Sequence, residues 1–171
     1  SNIINPRFML CNTGTAPINL EKVKIRYFYT INKEKSQNFW CDWSSAGTNN
    51  INGTLIKMSD AMIGADYYLE LGFKTGTGEL QPGQSVEIHT RIAKSDWTDY
   101  IQTDDFSFNS TSKKYEEWDK ISVYYDNFCI FGTEPGIIAP KPEPIRSVEL
   151  KICNSNNKEN TNTIFARYIL K

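Results

Sequence analysis

The chain has 171 residues, a formal net charge of −1 and 23% charged residues of both signs interspersed. That length suits one ordinary domain plus some extra, with enough chain for a real core. The charge balance excludes an electrostatic footprint for nucleic acid or an anionic membrane, and no apolar run is long enough to span a bilayer. The first residues do not read as a signal peptide, so the chain is expected to be a piece of a larger protein.

Taken in order, Pro6 to Leu10 reads as a strand that ends in a turn at Asn12-Thr13-Gly14-Thr15. Val23, Ile25, Tyr27 and Tyr29 then alternate with Lys24, Arg26, Phe28 and Thr30, a period of two over a long strand. Lys33 to Gln37 is a polar hairpin loop, from which Phe39-Trp40-Cys41-Asp42-Trp43 returns. Strict alternation puts Phe39, Cys41 and Trp43 on one face and Trp40 and Asp42 on the other, with one indole in the core and its neighbour exposed. An Asn-rich loop over Gly47–Gly53 precedes strands at Thr54–Met58, Tyr67–Phe73 and Val86–Ile92. Turns fall at Gly76-Thr77-Gly78 and Gln81-Pro82-Gly83, and later strands at Ile121–Tyr125 and Phe128–Phe131. Only Ser59–Ala65 and Ser112–Glu117 have the composition for a helical turn. Many short strands at regular spacing predict an all-β fold, an antiparallel β-sandwich or jelly roll.

Beyond Gly136 the composition changes. Residues 137–147, with Pro140, Pro142 and Pro144, read as a stiff extended linker. Further on, Asn162, Ile164, Arg167 and Leu170 repeat the spacing of Asn2, Ile4, Arg7 and Leu10, as in a tandem array cut out of phase. Cys11, Cys41, Cys129 and Cys153 lack CxxC spacing, which argues against a zinc knuckle; buried thiols in strands are the default reading, with a disulfide left open. The adjacent carboxylates Glu116-Glu117 and Asp104-Asp105 do not announce a catalytic pair, and the lone His89 has no partner that would make it catalytic.

Residues 2–136 resemble the family 3 carbohydrate-binding modules of clostridial scaffoldins, cellulases and biomass-sensing anti-sigma factors. The resemblance rests on Asn5-Pro6-Arg7-Phe8 with Asn12-Thr13-Gly14, on Arg26-Tyr27-Phe28-Tyr29-Thr30 and on Phe39-Trp40-Cys41-Asp42-Trp43. It continues through Tyr68-Leu69-Glu70, Leu80-Gln81-Pro82-Gly83, Arg91 to Trp97, Asp105-Phe106-Ser107-Phe108, Glu117-Trp118-Asp119 and Gly132-Thr133-Glu134-Pro135. It implies a jelly-roll sandwich with a structural calcium ion, no catalytic activity, and a bacterial parent that is secreted or cell-surface bound. It implies no membrane contact by the module itself.

By position, the resemblance implies a planar cellulose-binding strip of Asp42, Trp43, Arg91 and Trp97. Aromatic rings suit the apolar C–H faces of glucose, and charged groups suit its rim of hydroxyls. Trp43 stands where many scaffoldin modules have His, and the Ser44–Gly53 loop is shorter than theirs and lacks their strip tyrosine. Asn2, His89 and Ser112 fall at positions that anchor a neighbouring glucan chain, with His89 in place of glutamine. The family's calcium site maps onto Thr30, Asn32, Ile101, Asp104 and Asp105, where Asn32 replaces a carboxylate. Arg26, Phe28 and Phe106 map to a shallow groove on the opposite face, with linker peptide as one candidate ligand.

The division expected is a module over 1–136 lacking its first strand, a linker over 137–147, and the first strands of a following module over 148–171. Val148–Cys153 resembles that missing first strand, and is expected to fill its slot in its own molecule or, by exchange, in a second copy or tandem neighbour. Non-catalytic attachment to cellulose or a related β-glucan is the first functional reading. The alternatives are a structural or assembly module, or a glycosidase auxiliary, with weak or no cellulose binding.

Overall fold

The computed structural model describes residues 1–111, 115–136 and 150–151. In chain order the strands are β1 (Arg7–Asn12), β2 (Ile18–Asn19), β3 (Val23–Tyr29), β4 (Gln37–Ser44), β5 (Ile51–Met62) and β6 (Ala65–Phe73). They continue as β7 (Glu79–Leu80), β8 (Ser85–Lys94), β9 (Ile121–Tyr125), β10 (Phe128–Phe131) and β11 (Leu150–Lys151). One sheet has the order β11-β1-β8-β4, the other β10-β9-β3-β6-β5, and β2 pairs with β7 in a small third ribbon. Among the described residues every strand pairing is antiparallel, and the fold is a β-sandwich with jelly-roll topology.

The alternation in β3 explains how the layers close. Val23, Ile25, Tyr27 and Tyr29 are buried, and they meet Phe8, Leu10, Ile88 and Ile92 from the facing sheet in one core. Phe8 and Tyr27 contact edge to face across that core, with ring centroids 6.4 Å apart. Burying an aromatic or aliphatic side chain of this size contributes about 1.5–3 kcal/mol, so this shared layer is what joins the two sheets.

Two expectations are corrected here. The Ser59–Ala65 segment forms no helical turn: β5 runs on to Met62 and β6 starts at Ala65. Gly64 makes the reversal with φ 77°, and a Cβ there would lie 2.7 Å from the Asp104 carbonyl oxygen, so the position requires glycine. The Asn-rich loop is also shorter than expected, because Thr48–Asn50 forms a 3₁₀ turn and β5 begins at Ile51. In the β9–β10 hairpin, Asp126 and Asn127 both have positive φ, the pair that a tight primed turn needs.

Cys11, Cys41 and Cys129 are half-buried rather than buried; the thiols of Cys41 and Cys129 donate to the Trp43 and Phe131 carbonyls. The outer edge of β1 pairs with β11, Cys11 opposite Lys151 and Asn12 opposite Leu150. The linker 137–147, Ser112, Cys153 and the rest of 148–171 lie outside the described residues.

Candidate binding face

The exposed face of the β1–β8–β4 sheet carries the predicted strip, and a bulge makes it possible. Along β4 and β8, Phe39 stands opposite Ile92, Trp40 opposite Arg91 and Cys41 opposite Thr90; then the register shifts, and Trp43 stands opposite His89. Asp42 is the additional residue. An extra residue on one strand re-aims the side chains that follow it. Phe39 and Cys41 pack inward against the core, while Trp40, Asp42 and Trp43 all lie on the outer side with Arg91 and His89. The expected division, with Trp43 grouped with Phe39 and Cys41, is therefore wrong.

The outer groups form a continuous series. At one end the indoles of Trp97 and Trp40 are stacked, with centroids 6.2 Å apart and planes within 13°. The Arg91 guanidinium lies over the Trp40 ring at 5.1 Å. From there its Nε donates to both carboxylate oxygens of Asp42, at 2.8 and 2.7 Å, which turns the ion pair into a second flat group. Beyond it Trp43 packs on His89 with ring centroids 5.2 Å apart. Trp43 and Trp97 remain 46% and 51% exposed, a large apolar area for two residues of a water-facing sheet. Trp40 is half-buried and completes the series. Position alone did not select it, although its place beside Asp42 was the signal.

The remaining predicted residues divide. Asn2 is exposed, two residues before the bridge from Ile4 to Ile92 of β8. His89 is engaged: its Nε2 lies 2.7 Å from Glu87 Oε1, which also accepts from the Tyr115 hydroxyl. Burial works to raise the Glu87 carboxyl, but the Tyr115 and His89 hydrogen bonds outweigh it and hold the group below the usual carboxylate range.

On the opposite sheet Arg26 sits between the rings of Tyr68 and Tyr124, at 4.8 and 4.4 Å, and is fixed by Glu70 and Glu134. Phe28 is 2% exposed, packed on Tyr68 and Phe106, so its ring supports this surface from below instead of meeting solvent.

The five residues mapped to calcium are brought together. Asp105 Oδ1 accepts from the Thr30 amide at 2.7 Å and from its hydroxyl at 2.9 Å. The Thr30 hydroxyl also lies 3.3 Å from Asp104 Oδ1 and accepts from Asn32 Nδ2. Asn32 Oδ1 in turn accepts from the Ile101 amide at 2.6 Å. Asp105 Oδ2 is buried with no hydrogen-bond partner, and burial pushes this carboxyl up to about 7, against the Thr30 hydrogen bonds and with Asp104 and Asp66 adding to it. An orphaned carboxylate oxygen beside a second carboxylate, a hydroxyl and an amide fits a hard cation. No group of three or more acidic, His or Cys side chains is assembled for a metal among the described residues, so such a site would depend on neutral oxygens.

The family model described as cellulose binding domain matches residues 1–132. The chain belongs to the family 3 carbohydrate-binding modules. Its fold is matched by the family 3 module of the major scaffoldin subunit ScaA from Acetivibrio cellulolyticus, with TM-score 0.77 and 48% identity over 79% of this chain and 88% of that one. A biomass-sensing module of an Rsgi-like protein of Clostridium thermocellum matches with TM-score 0.76 and 44% identity over 79% and 89%. Among curated relatives, Exoglucanase-2 of Thermoclostridium stercorarium is 50% identical over 79% of the chain, and cellulosomal-scaffolding protein A of Acetivibrio thermocellus 42% over 85%. The chain spans only 15% and 8% of the lengths of those two proteins. The family is one of carbohydrate-binding, non-catalytic modules.

Proposed function

We propose that this module binds crystalline cellulose or a related β-glucan through the Trp97–Trp40–Arg91–Asp42–Trp43 face and so attaches a larger bacterial protein, secreted or cell-surface, to its substrate. The observation that carries this is the bulge at Asp42, which brings Asp42 and Trp43 to the same side as Arg91 and the Trp40–Trp97 stack. Flat rings desolvate the C–H faces of successive glucose units, and the guanidinium–carboxylate pair offers hydrogen bonds at the hydroxyl rim. No bond of the sugar is broken; the module concentrates its parent at the surface, and the chain itself is not an enzyme. Calcium held by Thr30, Asn32, Ile101, Asp104 and Asp105 is proposed as a structural ion, supported by the orphaned Asp105 Oδ2.

A planar face is matched to a crystal surface better than to one mobile chain. Uptake on microcrystalline cellulose is expected to exceed affinity for soluble cello-oligosaccharides by calorimetry. Equal affinity for the soluble chain would place binding elsewhere.

A second reading, an assembly module, is favoured by one observation: β11, from residues beyond the linker, pairs with the open edge of β1. We propose that this edge takes the 148–153 strand in its own molecule, and from a neighbour when copies are joined in tandem. Light scattering on the full chain checks it: a concentration-independent monomer supports the same-molecule arrangement, and a dimer supports exchange.

A further inference from the structure

Trp97 stands in the left-handed region, with φ 57°, a conformation disfavoured for a residue with a Cβ. The loop that presents it, Ser95–Asp99, is solvent-exposed throughout and must be held from outside. Several contacts do so. The Ser95 amide donates to the Ser36 carbonyl at 2.8 Å and Lys35 pairs with Asp96 at 2.9 Å, while within the loop Thr98 donates to Asp96 through its amide and its hydroxyl. All of these lie at the surface, where water competes for each partner.

Lys94 is different. It ends β8, it is 1% exposed, and its Nζ donates to the Asp99 carbonyl at 2.8 Å while lying 4.5 Å over the Tyr100 ring. Its backbone carbonyl accepts from the Trp97 amide at 3.0 Å. The middle of the loop and its far end are therefore tied to one residue, Trp97 by main chain and Asp99 by a buried ammonium. The charged groups around it are Asp96 and Asp99 on the loop and Lys33 and Lys35 from the β3–β4 connection. Burying a cation is costly unless it is paired with a purpose-placed acceptor, and a strand end on the surface offers a lysine an easy route to water.

We infer that Lys94 is the positioning residue for Trp97: its buried ammonium closes the 95–99 loop from below and keeps the indole stacked on Trp40, preformed for a flat ligand. The inference rests on the proposed binding face, but its geometric part can be read without any sugar. Preforming the face removes an ordering cost that binding would otherwise bear, so its loss weakens binding rather than abolishing the site.

The experiment uses the full chain with Lys94→Met, Lys94→Arg and a Trp97→Phe control. The stacked indoles are expected to give an exciton couplet in far-ultraviolet circular dichroism, and Trp97→Phe to remove it. In Lys94→Met, checked as folded by its core melt, the couplet is expected to fall by at least half and uptake on microcrystalline cellulose to weaken by about tenfold, with Lys94→Arg restoring both. An unchanged couplet in folded Lys94→Met overturns the inference, even if the melting temperature drops, because a merely structural lysine would leave the stack intact. If Lys94→Met does not fold, Lys94→Gln, one atom short of the Asp99 carbonyl, takes its place under the same criteria. A lost couplet in a chain whose wild type never binds cellulose supports the positioning role and removes only the cellulose reading.

Discussion

Replacing Arg91 by methionine separates a surface ion pair from a binding platform, because the two readings assign the residue different magnitudes. Both partners of the Arg91–Asp42 pair have side chains 35% exposed. Such a pair contributes about 0–1 kcal/mol to folding, and the guanidinium over Trp40 adds about 0.5–1 kcal/mol at an exposed site. Methionine keeps the apolar stem, so the expected destabilisation is about 1 kcal/mol, or about 4 °C in melting temperature for a domain of this size. Binding should suffer more. Hydrogen bonds from a charged group to sugar hydroxyls contribute about 1.5–3 kcal/mol, which corresponds to a loss of about tenfold or more in affinity. Thermal melts and adsorption isotherms on microcrystalline cellulose, with Arg91→Lys between the extremes, read both quantities. Unchanged affinity would refute the platform and leave a plain salt bridge. A fall of well over 10 °C in melting temperature would refute the claim that the pair is peripheral to the fold.

Calcium is expected to raise the unfolding free energy by about 2.7 kcal/mol at about a hundredfold excess over Kd, chelator to reverse it, and Asp105→Asn to abolish the response. No shift with calcium in the wild type would dismiss the proposed ion. The Asp96 carboxyl is held well below its usual range by Lys35 first, then by the Thr98 hydroxyl and amide. A folded value below the unfolded one means this stabilisation of the loop is present above about pH 4 and lost as pH falls further. The Trp40–Trp97 couplet should therefore weaken in acid, and Asp96→Asn should remove that step; a couplet independent of pH in the wild type would contradict the linkage.

Much of the sandwich was legible because strands buried on one face write a period of two. The Val23–Tyr29 alternation located β3, and Ile121–Tyr125 and Phe128–Phe131 matched β9 and β10 at both ends. Strand ends elsewhere were missed where exposed residues extend a strand past its regular ladder, as in Ser59–Met62 of β5, where the pairing with β6 breaks register after Lys57 and no buried face marks the strand. The candidate binding face was legible only through family position. Alternation misassigned Trp43 because it assumes an unbroken ladder, and Asp42 has no residue type that announces a bulge. Trp40 was missed for a related reason: it stands opposite Arg91 and stacks on Trp97, a loop residue brought over it only in three dimensions. Lys94 could not be singled out from sequence, since nothing in one dimension shows the Asp99 carbonyl folding back over it.

The most direct measurement is depletion of the purified chain from solution by microcrystalline cellulose, for the wild type and for a Trp43→Ala/Trp97→Ala double variant. The two indoles are about half exposed and lie outside the buried core, so the double variant should stay folded. The wild type is expected to be drawn onto the solid and the folded double variant to remain in solution. A folded wild type that stays in solution, or a double variant depleted as fully as the wild type, would contradict binding by this face.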